Sequence, residues 1–294
     1  MVTEPTSGGL VLLDKPPGAT SFAALNSIKN ALVTKKVGHS GTLDRFAHGL
    51  LVLLTGYCTR LASLFSGLDK RYTAVIRFGE TTDTLDPEGE IVDCGKVPRA
   101  EEIEDALGHF VGILDQVPPS YSAVHHKGVR AYRLARAGRE PRLPPRSVTV
   151  FQLEAVYYDA PNLGLKVHCS KGTYVRALAR DLGKAVGSCA YLVDLVRTAV
   201  GDFRLEEAVA AEDFLPNRHV IRPIDFLTRL PEIQIVGVKP GDERRVRGGM
   251  SVDDSTFDRP LEDGTVAAFG VQNQLLALLR KARGGYKYVR VFAK

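Results

Sequence analysis

Cysteine is scarce in this sequence: Cys58, Cys94, Cys169 and Cys189 are the only four, and no two of them form a C-x-x-C pair. That spacing excludes a zinc ribbon and a dense disulfide framework, and leaves the four to be read as buried thiols. The seven histidines show no H-E-x-x-H spacing, and adjacent His125 and His126 would point apart on a helix or a strand, so no metal site is expected. Long apolar runs are also missing. None exceeds five residues, Leu50–Leu54 being one of that length, whereas a membrane-spanning helix needs about 20. The opening MVTEPTSGG carries neither the basic region nor the apolar stretch of a secretion signal. A cytoplasmic protein without membrane contact is the expectation. The chain also lacks the Gly-Lys-Ser/Thr ending of a phosphate-binding loop, which disfavours a nucleoside triphosphatase.

What is present is ordinary for a soluble globular chain: 44% hydrophobic and 25% charged residues. A length of 294 residues is about twice that of a typical domain, so one large domain with a smaller appendage is expected. The net charge of +5 conceals two basic runs. In the first, Lys127, Arg130, Arg133, Arg136, Arg139, Arg142 and Arg146 face the single acid Glu140. In the second, six Lys and Arg residues between Arg280 and Lys294 stand with no acid. Either run is a solvated face or a polyanion-binding surface, where each neutralised phosphate releases counterions.

Leu10–Leu13 reads as a short strand followed by a Pro-Gly turn at Asp14–Gly18. A helix follows, with Ser21 as its cap and Phe22, Leu25, Ile28 and Leu32 on one face. Alternation at Tyr72, Ala74, Ile76 and Phe78, and at Leu163, Leu165, Val167 and Cys169, predicts strands. Ile103, Ala106, Leu107, Phe110 and Val111 form one helical stripe, and Val175, Leu178, Ala179, Leu182 and Val186 form another. Irregularly interspersed elements imply an α+β fold, a mixed and mostly antiparallel sheet flanked by helices. A boundary falls at Pro223–Pro231, and the short apolar segments beyond it predict a small β-rich module. The expected organisation is a flexible N-terminus over 1–9, a large domain over 10–230 and the module over 231–294.

The segment from Lys36 to Gly49 packs three glycines, two histidines and one carboxylate between apolar elements. Glycine allows positive φ and close approach to a ligand, so this is a structural turn or a functional loop. Other segments decide between these. Leu13-Asp14-Lys15-Pro16-Pro17-Gly18, the Gly38–Gly49 loop, Asp69-Lys70-Arg71-Tyr72 and Ser170-Lys171-Gly172-Thr173-Tyr174-Val175-Arg176 resemble, in order, the motifs of TruB-type pseudouridine synthases. Thr82–Gly89 and Val117–Ala123 are similar to further segments of that family, so the likeness spans residues 10 to 204. The part from about Glu232 resembles a PUA-type RNA-binding module.

The resemblance implies a pseudouridine synthase fold and the isomerisation of a uridine at position 55 in the T-loop of tRNA. It implies a monomer without cofactor, guide RNA or obligatory protein partner. Asp44 matches the family nucleophile and Arg176 the arginine that pairs with it, where a guanidinium offsets the desolvation that would neutralise the acid. Tyr72 matches the tyrosine that stacks on the target base and is suited to proton transfer. His39 matches the residue that fills the stack vacated by the flipped base. Tyr174 and Leu195 resemble pocket residues and are equally compatible with ordinary core. Lys15, Arg133 and Arg136 complete the implied substrate contacts, the arginines within an RNA-clasping insertion around 125–146. The helical spacing from Arg176 to Arg180 places both on the face opposite the apolar stripe, with guanidinium groups outward.

Three positions depart from the family pattern: Arg45 where proline usually follows the nucleophile, His48 where a small residue or Thr is common, and one arginine, Arg197, in Leu195-Val196-Arg197-Thr198. Without the proline's restriction, Asp44 is expected to be held less rigidly. Three other readings stay open: a guide-dependent synthase acting on ribosomal RNA, a non-catalytic RNA chaperone, and a nucleoside hydrolase pairing Asp44 with Asp83 or Asp86. If the first basic run contacts phosphate, replacing Arg133 and Arg136 by alanine flattens the slope of log affinity against log salt by roughly 2. Filter binding to tRNA across a salt series measures it, and an unchanged slope places the contact surface elsewhere.

Overall fold

The computed structural model describes residues 8–126, 128–139 and 141–292. Residues 1–7 of the expected flexible N-terminus, Lys127 and Glu140 of the first basic run, and Lys294 of the second lie outside the described residues. Gly8 and Gly9, expected to be flexible, are instead buried. Thr55 N donates to Gly9 O at 2.8 Å and Gly9 N to Thr55 Oγ1 at 3.0 Å, so the chain is anchored before its first strand.

In chain order the strands are β1 (Leu10–Lys15), β2 (Val37–His39), β3 (His48–Thr55), β4 (Lys70–Phe78), β5 (Glu80–Thr82), β6 (Ile91–Cys94), β7 (Gly112–Gln116), β8 (His125–His126), β9 (Val129–Arg130), β10 (Arg146–Asp159), β11 (Asn162–Cys169), β12 (Ala190–Val200) and β13 (Phe203–Arg204). Between them lie α1 (Ser21–Ala31), α2 (Ala62–Ser66), α3 (Ala100–Leu107), α4 (Ala131–Arg136) and α5 (Val175–Ala185). Short α6 (Pro216–His219) and α7 (Pro223–Leu227) lead to β14 (Ile233–Gly237), α8 (Glu243–Arg247), β15 (Gly264–Phe269), β16 (Leu275–Ala282) and β17 (Gly285–Val291).

Nine strands form one sheet in the order β1-β3-β12-β4-β11-β10-β7, with β2 added on β3 and β13 on β12. Every pairing in it is antiparallel except β3 with β12. A second sheet, β14-β15-β16-β17, forms the C-terminal part. The α+β class with a mostly antiparallel sheet is therefore found as expected.

The strand alternations hold because their apolar members meet helices on one face. Ala74, Ile76, Phe78, Leu163, Leu165 and Val167 join Val175, Leu178, Ala179 and Leu182 of α5 and Ile103 of α3 in one core. On β1 and β3 the alternate residues serve two cores. Val11, Leu13, Leu51 and Leu53 receive α1, whereas Leu10, Leu12, Leu50 and Val52 face a cluster shared with Ala267, Phe269, Leu278 and Phe292 of the C-terminal part.

Three helix expectations are corrected. Thr20, not Ser21, caps α1, its Oγ1 accepting from Ala23 N at 3.1 Å, which frees the Ser21 hydroxyl for the loop described below. Phe22 is 66% exposed, because Ala24 takes the buried position on the face with Leu25 and Ile28. In the stripe that begins at Ile103, α3 ends at Leu107 and Val111 is exposed beyond the following 3-10 turn.

The parallel β3–β12 contact depends on one glycine. Gly49 has φ +91° and lies opposite Arg197, and a Cβ there would sit 2.7 Å from Arg197 O and 3.2 Å from Arg197 N, both backbone atoms that cannot swing aside. Gly49→Ala is expected to destabilise the protein by at least about 2 kcal/mol through positive-φ strain and this clash, read as a lowered midpoint in urea unfolding. An unchanged midpoint would show that the two strands part without cost.

Candidate active site

Asp44 sits in the loop between β2 and β3, and that loop is fixed from several sides. Leu43 and Ala47 plunge into the α5 core. The freed Ser21 hydroxyl accepts from Leu43 N at 2.9 Å and donates to Leu43 O at 3.0 Å. On one side of the carboxylate Arg197 donates to the carbonyls of Gly41 and Thr42, each at 3.3 Å. On the other, Arg45 O accepts from Gly18 N at 2.9 Å and from the Lys15 ammonium at 3.3 Å. Asp44 is thus displayed by a loop whose backbone has few freedoms left.

Arg176 meets it from the first turn of α5. Its Nε lies 2.9 Å from Asp44 Oδ2, a charge contact whose N–H is not aimed along the line to the oxygen. Nη1 donates to Asp86 Oδ2 at 3.0 Å and to Thr84 O at 2.8 Å, and Nη2 to Tyr121 O at 2.9 Å. Arg176 is 4% exposed, which corrects the outward placement expected from helical spacing. A charge can be buried on α5 because two carboxylates and two carbonyls from distant segments surround it.

The two carboxylates differ in surroundings. Asp86 is buried and further bound by the Thr84 hydroxyl at 2.6 Å and Glu88 N at 3.1 Å. The Asp44 side chain keeps 43% of its surface open to the cleft. Crowding by the cleft walls raises its pKa above the ordinary 3.8, Arg176 opposes that rise, Asp86 adds to it and Lys15 opposes it more weakly. Because water still reaches the carboxylate, its desolvation is that of a cleft floor and not of a sealed core. Asp44 is the acid with a free face and Asp86 the acid without one.

Tyr72, Tyr174, Arg176 and Leu195 line the cleft with Asp44. The β4–β12 register pairs Leu195 with Ala74 and Arg197 with Tyr72, so Tyr72, Leu195 and Arg197 share one face of the sheet under the loop. Burial pushes the Tyr72 phenol up to about 12, with Arg197 opposing, so it stays protonated at neutral pH and is a poor base in the free protein. Tyr174 precedes α5 and is clamped by Gln116, which accepts from Tyr174 N at 2.8 Å and donates to Tyr174 O at 3.1 Å.

Other sequence-predicted residues lie elsewhere. Lys15 is fully buried and donates to Pro16 O at 2.9 Å and Ala19 O at 2.7 Å as well as to Arg45 O, so it braces the loop from beneath and does not face the cleft. Burial lowers its pKa to about 8. His39 ends β2 beside the loop, outside the cleft lining, and burial and then Arg197 lower its pKa, which keeps the ring neutral. Arg133 and Arg136 stand exposed on α4, with Arg136 over the Tyr132 ring at 5.6 Å from its centroid. His48 is tied to Asp194, Nε2 to Oδ1 at 3.1 Å.

Arg45 reverses an expectation. Its Nε donates to Gly18 O at 3.0 Å and lies 3.6 Å from Glu88, so the position that lacks proline is held by side-chain contacts instead. Sequence reasoning missed Arg197 as a loop anchor and Asp86 as the partner of Arg176. Asp86 stood among the carboxylates in view, but nothing local pairs it with a residue ninety positions on.

A family model described as TruB family pseudouridylate synthase (N terminal domain) matches residues 29–175. The tRNA pseudouridine synthase B of Caulobacter vibrioides (strain ATCC 19089 / CIP 103742 / CB 15) is 38% identical over 297 residues, covering 97% of this chain and 96% of its own length. That of Borreliella burgdorferi (strain ZS7) is 47% identical over 208 residues, 70% of this chain and 74% of its own. Among solved structures, an H/ACA RNP bound to a substrate RNA containing 2'-deoxyuridine includes a chain with TM-score 0.72 and 21% identity, covering 97% of this chain and 85% of that one. At that identity the likeness is one of fold alone.

The Asp44–Arg176–Asp86 arrangement carries its own test. Asp86→Asn removes a like charge and leaves Arg176 to Asp44, so the Asp44 titration should move to lower pH; Arg176→Gln should move it higher. Carbon-13 NMR of the labelled carboxyl reads both, and shifts of the same sign would disprove the arrangement.

Proposed function

The chain belongs to the TruB family of pseudouridylate synthases, and from that premise we propose that it isomerises uridine 55 in the T-loop of tRNA to pseudouridine, with Asp44 as nucleophile and no guide RNA. The reaction breaks the C1′–N1 bond, turns the uracil and joins C1′ to C5, while the C5 proton is lost and N1 regains one. Nothing is oxidised or reduced, so the chemistry itself calls for no redox cofactor. It needs an ionised carboxylate able to add to ribose or uracil, held where a flipped base can reach it.

The observation that carries the reading is the contrast between Asp44, paired yet open to the cleft, and Asp86, paired and buried. Arg176 opposes the rise in the Asp44 pKa that the crowding of the cleft causes, which favours the carboxylate form, and its guanidinium is held by Asp86 so that it need not move. Tyr72 and Leu195 then form the bed for the uracil ring, with the protonated phenol as a hydrogen-bonding edge. The exposed arginines of α4 and the basic β16–β17 hairpin supply phosphate contacts on the RNA-clasping insertion and on the proposed PUA-like module over 231–294. His39 takes the place of the flipped base in the stack.

Relatives that carry tRNA-enzyme names at 38% and 47% identity favour tRNA over a guide-directed target, and we read the chain as a cytoplasmic monomer. Purified protein acting on a bare tRNA transcript tests that point. A hydrolase would release free uracil, and Asp86 is already committed to Arg176.

Asp44→Asn preserves shape and removes the nucleophile. Pseudouridine in tRNA, measured by mass spectrometry with asparagine deamidation excluded, should fall to the detection limit while tRNA affinity stays within roughly threefold, since phosphate contacts dominate binding. Formation above a trace would remove Asp44 from the mechanism. A pure chaperone would lose nothing.

A further inference from the structure

Arg197 is 3% exposed, yet among the described residues its hydrogen-bond partners are backbone carbonyls, Leu50 O at 2.7 Å from Nε and those of Thr42 and Gly41, with the Tyr72 phenol bearing on it as well. A buried cation satisfied by neutral oxygens alone is costly, and its positive field also reaches Lys15, His39 and Lys70. Such a charge is retained where its geometry is needed.

Two contacts say what that geometry does. The β4–β12 register sets Arg197 directly across from Tyr72 on the cleft face, two positions from Leu195. The same guanidinium grips the backbone two and three residues before Asp44. One planar, rigid group therefore joins the wall that carries the ring to the loop that carries the acid. Lysine has a positive charge but no planar fork, so it could not hold both.

We infer that Arg197 is a positioning residue of this site, fixing the distance between the Asp44 loop and the Tyr72 ring and thereby the slot in which the target uracil lies. The inference rests on the pseudouridine synthase reading for its consequence, but not for its geometry. A displacement of about 1 Å at a reacting centre costs on the order of a hundredfold in rate. Arg197→Lys should therefore lower kcat about a hundredfold with KM within threefold, at a melting temperature that still leaves the protein folded in the assay.

The experiment pairs that kinetic split with a readout at Tyr72. Position 72 is replaced by 2,3,5-trifluorotyrosine, whose phenol titrates low enough to follow in the folded protein, and fluorine NMR is recorded in the wild type, Arg197→Lys and Arg197→Gln. The groups that bear on the phenol are Arg197, Cys169 and Asp44. Loss of the cation in Arg197→Gln should raise the phenol's titration point, and Arg197→Lys should shift the ring resonances while leaving that point nearer the wild type. If Arg197→Gln does not fold, Arg197→Lys alone carries both measurements. Unshifted resonances in Arg197→Lys, or a kcat within threefold of wild type, would overturn the inference. Absence of pseudouridine formation by the wild type would instead defeat the functional reading, and the fluorine spectra would still decide whether Arg197 positions Tyr72.

Discussion

The guanidinium of Arg176 is the joint on which the cleft closes. Four segments far apart in the chain end on it: the Asp44 loop, the turn at Thr84–Asp86, the loop between β7 and β8 at Tyr121, and α5 itself. A buried arginine makes this possible because it has five donors in a fixed plane and cannot shed its proton, so each partner must come to it in a set direction. The cost of placing that charge inside the fold is offset only while all partners are present. The arrangement is correspondingly selective for one packing of loop, turn and helix.

Beneath the loop, the same logic is repeated with neutral partners. Lys15 and Arg197 are buried cations that hold backbone carbonyls on either side of Asp44, one through Arg45 O and the other through Gly41 and Thr42. Backbone carbonyls carry no sequence signature, so a loop held in this way tolerates Arg45 where proline is usual. The side chain at that position then adds ties of its own to Gly18 and toward Glu88.

Much of the framework was legible because it follows from periodicity. The alternation in β4 and β11 and the apolar stripe of α5 each predict which residues meet a neighbour, and they do. The nucleophile loop was legible through its motif and its glycines. What escaped was everything that depends on tertiary charge. Helical spacing set Arg176 outside the apolar stripe and so outward, whereas its partners lie some ninety and more than one hundred and thirty positions away and draw it in. Lys15 appeared as a binding residue through the resemblance of its motif, and its burial is visible only once the carbonyls of Pro16 and Ala19 are seen to accept from its ammonium. Gly49 was taken as loop chemistry, while its requirement comes from the backbone of a strand that enters the sequence far later.

The cluster that joins β1 and β3 to β15, β16 and Phe292 has a practical meaning for dissection of the molecule. Leu10, Leu12, Leu50 and Val52 share one apolar cluster with Ala267, Phe269, Leu275, Leu278 and Phe292, and Tyr57 meets Phe292 with ring centroids 5.8 Å apart. A chain cut near residue 231 would remove the C-terminal members of a cluster to which the strand after the Asp44 loop also contributes. Weaker modification by such a fragment would then register wetting of a common interior as much as loss of an RNA contact. Because the two parts share this interior, separating recognition from catalysis calls for surface substitutions, not shears.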